Sequence, residues 1–286
     1  MKTIQEAYIV AATRTPVAKA PRGALRLATW NINSVRLRLP LVEKLVAAAR
    51  PDILCLQETK CPDEHFPAEA LKALGFQHQI FHGMKGYNGV AILSRVPLHE
   101  TGPRHWCGLE DCRHVQASLA NGTEIHDIYI PAGGDIPDPE ANAKFKHKLD
   151  FVRAQAAHWK KTKRDRPRIL VGDLNIAPFE TDVWSHKQLL DVVSHTPVEV
   201  EALTAMRANH AWVDLSRQAF PEPQRLYTWW SYRNSDWRKS DRGRRLDHIW
   251  TTPDVAPKLK GFHILREARD WQQPSDHVPV IADLAL

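Results

Sequence analysis

Two polar residues that follow an aliphatic segment could act together on one ligand. Residues 169–171 are aliphatic, as in a strand buried on both faces, and Gly172, Asp173 and Asn175 come next. The glycine permits a tight turn, and a carboxylate beside an amide can serve as a general base or metal ligand next to a hydrogen-bond donor. Taken alone, residues 172–175 are more typical of a turn in which Asp and Asn bond their own backbone. Polar residues elsewhere in the chain must decide between these interpretations.

Similar polar residues stand at the ends of other predicted strands. Asn31 ends the first of these strands, Glu58 follows the second, and Tyr129 ends a later one. Because an α/β protein gathers the loops of its sheets at one rim, these side chains are candidates for a common site. The complete set is Asn31, Glu58, Tyr129, Asp173, Asn175, Asp247, Asp276 and His277.

The elements that must position these residues alternate between strands and helices from residue 25 onward. Apolar residues at helical spacing predict helices at 37–49, 141–163 and 198–220. Strands are predicted at 25–30, 52–56, 90–94, 115–119, 125–130, 169–171, 246–251, 262–265 and 278–284. No long linker or internal repeat interrupts the pattern, so residues 25–286 are expected to form one domain.

Residues 1–24 differ from the rest of the chain. A short strand could form at residues 7–12, but the turns that follow leave it without a continuation. The segment resembles the start of a thiolase, which has a similar Arg-Thr-Pro loop, whereas no later part of the chain does. We therefore expect an appended segment outside the folded core.

Composition indicates a globular protein with an anionic partner. The chain has 286 residues, with 39 Lys and Arg against 33 Asp and Glu, and a net charge of +6. Its apolar runs fall short of the roughly 20 residues needed to cross a bilayer, so no membrane partner is expected. Four cysteines without a secretory signal are typical of reduced thiols, and we expect a cytoplasmic protein.

Six motifs in order along the chain resemble those of the exonuclease III family of apurinic/apyrimidinic (AP) endonucleases. They lie at residues 30–36, 56–60, 86–91, 172–175, 245–247 and 275–277. That family is part of the endonuclease/exonuclease/phosphatase superfamily, and the similarity extends over about residues 25–286. The resemblance implies an α/β fold with two packed mixed β-sheets and flanking helices, a four-layer DNase I-like sandwich. It also implies a divalent-metal site at one rim.

The resemblance assigns hydrolytic roles to residues at the strand ends. Asp173 would orient or deprotonate the attacking water, and His277 would contact the phosphate. Asp247 would fix the tautomer of His277 through a hydrogen bond. Tyr129 would assist at the phosphate or the leaving group, and Asn175 would support Asp173.

The same resemblance implies a magnesium site in which Mn²⁺ can substitute. Glu58 matches the family's metal ligand, and carboxylate oxygens suit a hard ion that keeps several waters. Asn33 lies where some members of the family have an acid, which leaves the number of bound ions open. The expected residues on the metal side are Asn31, Glu58, Asp173, Asn175, Asp276 and His277.

A basic and aromatic segment predicts contact with DNA. Between residues 227 and 245, tryptophans and tyrosines are interleaved with arginines and lysines, a mixture suited to phosphates, sugars and bases. Trp229 matches an aromatic wall of the family's abasic-sugar pocket, with Leu246 behind it. Arg244 stands where relatives have an apolar or aromatic residue, so the preference between abasic sites and 3′ ends stays open. Asn33 completes the expected substrate contacts.

A second group of metal-binding residue types occurs in the middle of the chain. His105, Cys107, Cys112 and His114 could bind zinc, but their spacing is not that of a usual zinc finger. A loop with incidental thiols is the favoured interpretation.

These observations lead to one hypothesis and two alternatives. The chain is expected to be a Mg²⁺-dependent 3′-5′ exodeoxyribonuclease and AP endonuclease of base excision repair, monomeric and nucleoid-associated. Its partner would be double-stranded DNA with abasic sites or 3′ ends. The nearest alternative is a phosphoesterase of the same fold that acts on RNA, a phospholipid or an inositol phosphate. The alternative from another class is a DNA-binding module without activity, against which the intact set of site residues argues.

Overall fold

Two six-stranded mixed sheets pack face to face at the centre of the computed structural model, which describes residues 17, 20, 21, 23–233 and 236–286. The first sheet has the order β13-β14-β1-β2-β4-β3. Its strands are β1 (Leu25–Asn31), β2 (Ile53–Gln57), β3 (His78–His82), β4 (Val90–Ser94), β13 (Leu259–Ile264) and β14 (Val280–Leu284). The appended segment expected at residues 1–24 lies almost wholly outside the described residues.

The second sheet has the order β5-β6-β7-β8-β12-β9. Its strands are β5 (Leu98–Pro103), β6 (His114–Leu119), β7 (Glu124–Ile128), β8 (Arg168–Asp173), β9 (Val213–Asp214) and β12 (Asp247–Thr251). Two further short strands, β10 (Trp229–Trp230) and β11 (Gly243–Arg244), pair with each other beside the sheets. Both large sheets are mixed, because β1 runs parallel to β2 and β7 runs parallel to β8 while the other pairs are antiparallel.

Helices cover the outer faces of both sheets. They are α1 (Leu39–Ala49), α2 (Ala68–Ala73), α3 (Ala143–Lys161), α4 (His186–Leu189), α5 (Pro197–Asn209), α6 (Leu215–Ala219) and α7 (Trp237–Ser240). Leu41, Val42 and Leu45 of α1 join the apolar core on the outer side of the first sheet. Phe151 of α3 and Met206 of α5 do the same on the second. The expected four-layer sandwich is confirmed.

Local sequence explains where several elements begin. Strands β2 and β8 are buried along their whole length, which agrees with their continuous apolar segments. Helix α3 begins after Asn142, whose side chain accepts a hydrogen bond from the backbone nitrogen of Lys144. Helix α5 begins at Pro197 with a capping box between Thr196 and Glu199.

The helix predicted at residues 198–220 is wrong as a single element. Helix α5 ends at Asn209, and Ala211 then adopts a left-handed conformation with φ of 54°. Strand β9 pairs with β12, and the side chain of Asp214 caps the separate helix α6. Pairing with the sheet therefore overrides the helical spacing of the apolar residues. No helix in the described part of the chain is long and apolar enough to span a bilayer.

The residues considered for zinc do not converge. His114 is buried in β6, where its Nδ1 accepts a hydrogen bond from the indole of Trp106 at 3.1 Å and its Nε2 lies 3.1 Å from Nδ1 of His126. Cys112 is buried whereas Cys107 is exposed. Within the described ranges, the one group of three metal-ligating side chains lies elsewhere, at Asp173, Asp247 and His277.

His114 belongs instead to a buried histidine cluster beneath α3. The rings of His126, His158 and His210 lie 5.0, 4.8 and 5.3 Å from the ring of Trp159. Burial lowers the pKa of all four imidazoles, that of His114 well below its usual range and that of His158 to about 4. The folded state therefore holds these histidines neutral near neutral pH.

We expect this cluster to make the fold sensitive to acid. Because the folded-state pKa values are lowered, the unfolded chain takes up protons first as the pH falls below about 6.5, and the folded state loses stability. The fully buried His114 alone should reduce the free energy of unfolding by about 1.4 kcal/mol between pH 8 and 5.5. Urea unfolding of the wild type and of His114→Gln at both pH values measures this contribution, because the variant lacks this imidazole and keeps every other titratable group. An equal pH dependence in the two proteins would contradict the expectation, and His65→Gln, an exposed control, should have the pH dependence of the wild type.

Candidate active site

Loops from both sheets bring the predicted polar residues to one rim of the sandwich. In the first sheet, Asn31 ends β1 and Glu58 follows the parallel β2, so both lie at the carboxyl ends of neighbouring strands. In the second sheet, Asp173 ends β8 and faces Asp247, the first residue of the antiparallel β12. His277 precedes β14, where the indole of Trp30 donates to its carbonyl oxygen at 3.0 Å.

Backbone conformation at the strand ends turns the polar residues toward each other. Asn33, Glu58 and Asn175 all have left-handed conformations, with φ of 49°, 50° and 52°. Gly172 has φ of 137°, and a Cβ atom there would overlap the carbonyl oxygen of Ile128 on the neighbouring strand. Only glycine permits this close approach of β8 to β7, so the tight packing before Asp173 explains the residue type.

Glu58 is surrounded by donors. Its Oε1 accepts hydrogen bonds from Nδ2 of Asn31 at 3.0 Å and from the hydroxyl of Tyr129 at 2.8 Å. The ammonium group of Lys60 lies 2.7 Å from its Oε2 and also donates to Oδ1 of Asn33 at 2.7 Å. Burial alone would raise the pKa of Glu58, but Lys60 and the three hydrogen bonds lower it below its usual value. Glu58 is therefore ionised and ready to bind a cation.

Asp173 is buried and held by amides. Its Oδ2 accepts from Nδ2 of Asn31 at 2.9 Å and from Nδ2 of Asn175 at 3.2 Å, and its Oδ1 accepts from the backbone nitrogen of Asn175 at 2.9 Å. Asn31 thus bridges Asp173 and Glu58 with a single amide group. The backbone bond within residues 173–175 confirms the local turn expected from the sequence, and the catalytic interpretation of this motif stays a prediction.

His277 lies between two carboxylates. Its Nδ1 is 2.8 Å from Oδ2 of Asp247, and its Nε2 is 3.5 Å from Oδ2 of Asp173. Burial would lower the pKa of His277, but Asp247 and Asp173 raise it to about 10. Burial raises the pKa of Asp173, and the positive charge of His277 opposes this rise. We infer that the imidazole carries the proton in this pair, because it faces a carboxylate on each side.

The charges of the site suit a divalent cation. The carboxylate oxygens of Asp173 and Asp247 and a ring nitrogen of His277 lie within 4.8 Å of one another. In the protonated state inferred above, both ring nitrogens of His277 are donors, so the anionic ligand atoms here are those of the carboxylates. Oδ1 of Asp247 is buried without a hydrogen-bond partner among the described residues. Two cationic groups, those of Lys60 and His277, face four carboxylates at this rim. The four carboxylates are those of Glu58, Asp173, Asp247 and Asp276.

The expected substrate residues surround Asp276. Its Oδ1 accepts from Nδ2 of Asn33 at 3.1 Å and its Oδ2 from the indole of Trp229 at 2.9 Å. These bonds and the charge of His277 outweigh burial and lower the pKa of Asp276. Trp229 also packs against the apolar cluster that contains Leu246, as the resemblance implies. The two residues expected to contact substrate, Asn33 and Trp229, therefore both donate to the carboxylate of Asp276.

Arg244 packs against Trp229. Its guanidinium lies 5.2 Å from the centre of the indole ring. Its Nη1 donates to the carbonyl oxygen of Val193 at 2.8 Å and to Oγ of Ser194 at 2.7 Å. The indole that the resemblance assigns to the wall of a sugar pocket therefore faces a cation that is fixed by hydrogen bonds.

The structure brings all of the sequence-predicted site residues to this rim, and it adds Lys60. Lys60 lies within the motif at residues 56–60, so the motif contained the signal. Lys60 reaches Glu58 and Asn33 because both of these residues adopt left-handed backbone conformations, which the sequence spacing alone does not predict.

Comparison with known proteins identifies several relatives. The chain matches the Endonuclease/Exonuclease/phosphatase family model over residues 28–277. Exodeoxyribonuclease III of Haemophilus influenzae is 28% identical over 270 residues, covering 91% of this chain and 99% of that protein. The DNA repair nuclease APEX1 of Danio rerio is 27% identical over 274 residues, covering 92% and 83%.

Two solved structures also superpose on most of this chain. An AP endonuclease from Archaeoglobus fulgidus superposes with a TM-score of 0.84 at 30% identity, covering 92% of this chain and all of that one. A 3′ phosphatase from Neisseria, bound to a product DNA hairpin, gives 0.82 at 32% identity and covers 91% and 99%.

We expect Asp247→Asn to weaken the proton affinity of His277. The carboxylate at Nδ1 contributes most to the raised pKa of this imidazole, so its loss should lower the pKa from about 10 by at least about one unit. NMR titration of the His277 ring measures the change. Asp270→Asn is the matched control, because Asp270 pairs with Arg238 on the surface. An unaltered His277 pKa in Asp247→Asn would contradict the assignment.

Proposed function

This chain belongs to the endonuclease/exonuclease/phosphatase family, and we propose that it is a DNA repair nuclease that hydrolyses phosphodiester bonds in duplex DNA as an exodeoxyribonuclease III and AP endonuclease. The observation that carries the proposal is the path of contacts from Glu58 through Asn31 and Asp173 to the His277–Asp247 pair, in which every link is a hydrogen bond except the 3.5 Å ion pair between Asp173 and His277. It combines a cation site, a buried base and an oriented imidazolium, which are the three requirements of phosphodiester hydrolysis.

We propose Mg²⁺ as the metal, with Mn²⁺ able to substitute. Glu58 and Asp173 would hold it, because hard oxygen ligands suit this ion and Asn31 already places the two carboxylates side by side. Asp276 and Asn175 would support the site from outside the ligand shell. When bound, the ion supplies charge stabilisation to the phosphoryl oxygens.

The protein groups have separate roles in the proposed reaction. Asp173 accepts the proton of the attacking water, because the amides of Asn31 and Asn175 hold this buried carboxylate in place at the rim. His277 donates from Nε2 to a non-bridging phosphate oxygen, while Asp247 fixes its Nδ1 proton. Burial, with Glu58 and Asp173, raises the pKa of Tyr129, so its hydroxyl stays protonated and can donate at the leaving oxygen. Asn175 keeps Asp173 in place.

Charge and aromatic rings beside the site support DNA as the substrate. Arg233 and Lys239 are exposed and have no ion pair within the described ranges, so they are free to contact phosphates, and the exposed Arg242 packs over the ring of Trp184 at 4.7 Å. Trp229 and Tyr232 lie in the same segment and offer ring faces or edges to sugars and bases. The names of the related proteins, an exodeoxyribonuclease and a DNA repair nuclease, point to the same substrate.

The proposed domain organisation, oligomeric state and location concern the whole protein. We propose that residues 25–286 form one catalytic domain, since β1 begins at Leu25 and pairs with the last strand at Leu284, and that residues 1–24 are an appended segment. We also propose a monomer that works on cytoplasmic, nucleoid-bound DNA. Gel filtration with light scattering tests whether the protein is a monomer.

We expect three substitutions to nearly abolish cleavage. Glu58→Gln, Asp173→Asn and His277→Ala should each lower kcat by at least about 100-fold, because each removes one of the charges that act on the reacting phosphate. Incision of a duplex with an abasic-site analogue in Mg²⁺ measures the effect, with the exposed Glu43→Gln as control. Undiminished turnover in any two of the three would overturn the assignment, and preferential turnover of RNA or inositol phosphates would favour the alternative phosphoesterase.

We expect Arg244 to set the preference between abasic sites and 3′ ends. Arg244→Leu removes the cation that packs against Trp229 and should raise abasic-site incision relative to removal of 3′-terminal nucleotides by about 10-fold. The ratio of the two kcat/KM values measures this. Arg153→Leu, on the exposed face of α3, is the control. An equal ratio in Arg244→Leu and wild type would show that Arg244 does not discriminate between the two substrates.

A further inference from the structure

A lysine with no exposed surface lies directly beneath the catalytic loops. The side chain of Lys148, on α3, is 0% exposed. Its Nζ donates to the carbonyl oxygen of Asn175 at 2.8 Å and to that of Ala132 at 3.2 Å. These carbonyls belong to the loops that follow β8 and β7, which carry Asp173 and Tyr129. One ammonium group thus ties together the backbones of two catalytic loops.

The partner of Lys148 is an equally buried glutamate. Oε1 of Glu199, on α5, lies 2.5 Å from the ammonium group, and its side chain is also 0% exposed. The carboxylate accepts from the backbone nitrogens of Ser194, at 2.9 and 3.0 Å, and of Thr196, at 3.1 Å. Ser194 in turn accepts from Arg244. The pair therefore connects the loop after β8 with the loop at residues 193–194, which binds Arg244.

Stability alone does not account for this arrangement. Removing two charges from water costs several kcal/mol per ion, and buried ion pairs can often be replaced by apolar residues without loss of stability. The aliphatic stem of Lys148 also packs closely against Gly133, whose φ of 91° turns the β7 loop over it. The ammonium group fixes the positions of two carbonyl oxygens by donating hydrogen bonds to them. An apolar side chain would leave both of these oxygens without a donor.

We propose that Lys148 is a positioning residue for hydrolysis, which holds the Asn175 backbone, and through it the Asp173 carboxylate, at the reacting phosphate. Asn175 adopts a left-handed conformation and gives Asp173 two hydrogen bonds, one from its backbone and one from its side chain. A shift of the Asn175 carbonyl therefore moves both donors together. Displacement of a catalytic group by about 1 Å can cost about 100-fold in rate.

The inference rests on the proposed nuclease function, and a pair of variants separates positioning from folding. Lys148→Met leaves Glu199 buried without a partner, so both stability and kcat should fall. In Lys148→Met/Glu199→Gln no unpaired charge remains, and the glutamine oxygen can still accept from the backbone nitrogens of residues 194 and 196. Stability should then largely return, while the Asn175 carbonyl still has no donor. The control is Lys144→Met, on the exposed first turn of the same helix.

Two measurements read out the variants. On abasic-analogue duplex in Mg²⁺, the double variant should keep a kcat at least about 10-fold below wild type with little change in KM, because Lys148 does not touch the substrate. Hydrogen exchange of the Asn175 amide should be faster in the double variant than in wild type and unchanged in Lys144→Met.

The outcomes distinguish the two proposals. A double variant that regains both thermal stability and wild-type kcat would overturn the positioning role, and so would unchanged exchange at Asn175. A wild-type protein that cleaves no DNA would overturn the proposed function. In that case the exchange measurement still decides whether Lys148 holds the Asp173 loop.

Discussion

The structure depends on the burial of one carboxylate, Asp173, between two sheets. A charge at 1% exposure is stable only if donors and opposite charges surround it. Here Asn31 comes from the first sheet, Asn175 from the turn after β8, and His277 from the segment before β14. Because these groups reach Asp173 from both layers, the sheets must meet in one register for the carboxylate to be satisfied. The site thus acts as a constraint on the fold as well as a product of it.

The surroundings of this carboxylate also decide what the site can do. Glu58 shares the Asn31 amide with Asp173, so a cation held by Glu58 would lie beside the carboxylate proposed as the base. His277 faces Asp173 on one side and Asp247 on the other. The buried Lys148 donates to the carbonyl oxygen of Asn175, whose amides bond Asp173. The proposed roles in hydrolysis and in the choice between 3′ ends and abasic sites would therefore depend on one set of buried polar contacts.

Sequence predicts the strand ends well because their signals are local. Continuous aliphatic residues before Gly172 predict a strand buried on both faces, and the polar residues that follow it lie at the rim. The helix expected at 198–220 is interrupted because pairing of Val213–Asp214 with β12 overrides its local spacing. The sequence indicates Arg244 only as a departure from the family pattern, without its partners, and it does not distinguish Lys148 from its neighbours. Both belong to basic segments, and their partners are 51 residues away for Lys148–Glu199 and 50 for Arg244–Ser194.

The most direct test of the central claim is a titration of Mg²⁺ against cleavage, with an abasic-analogue duplex beside a blunt duplex of the same sequence. The structure predicts saturable, EDTA-sensitive cleavage of both, with Glu58→Gln requiring more Mg²⁺ because one carboxylate of the cation site is lost. Cleavage of either duplex at an undiminished rate in EDTA, or no cleavage of DNA at any Mg²⁺ concentration, would contradict it.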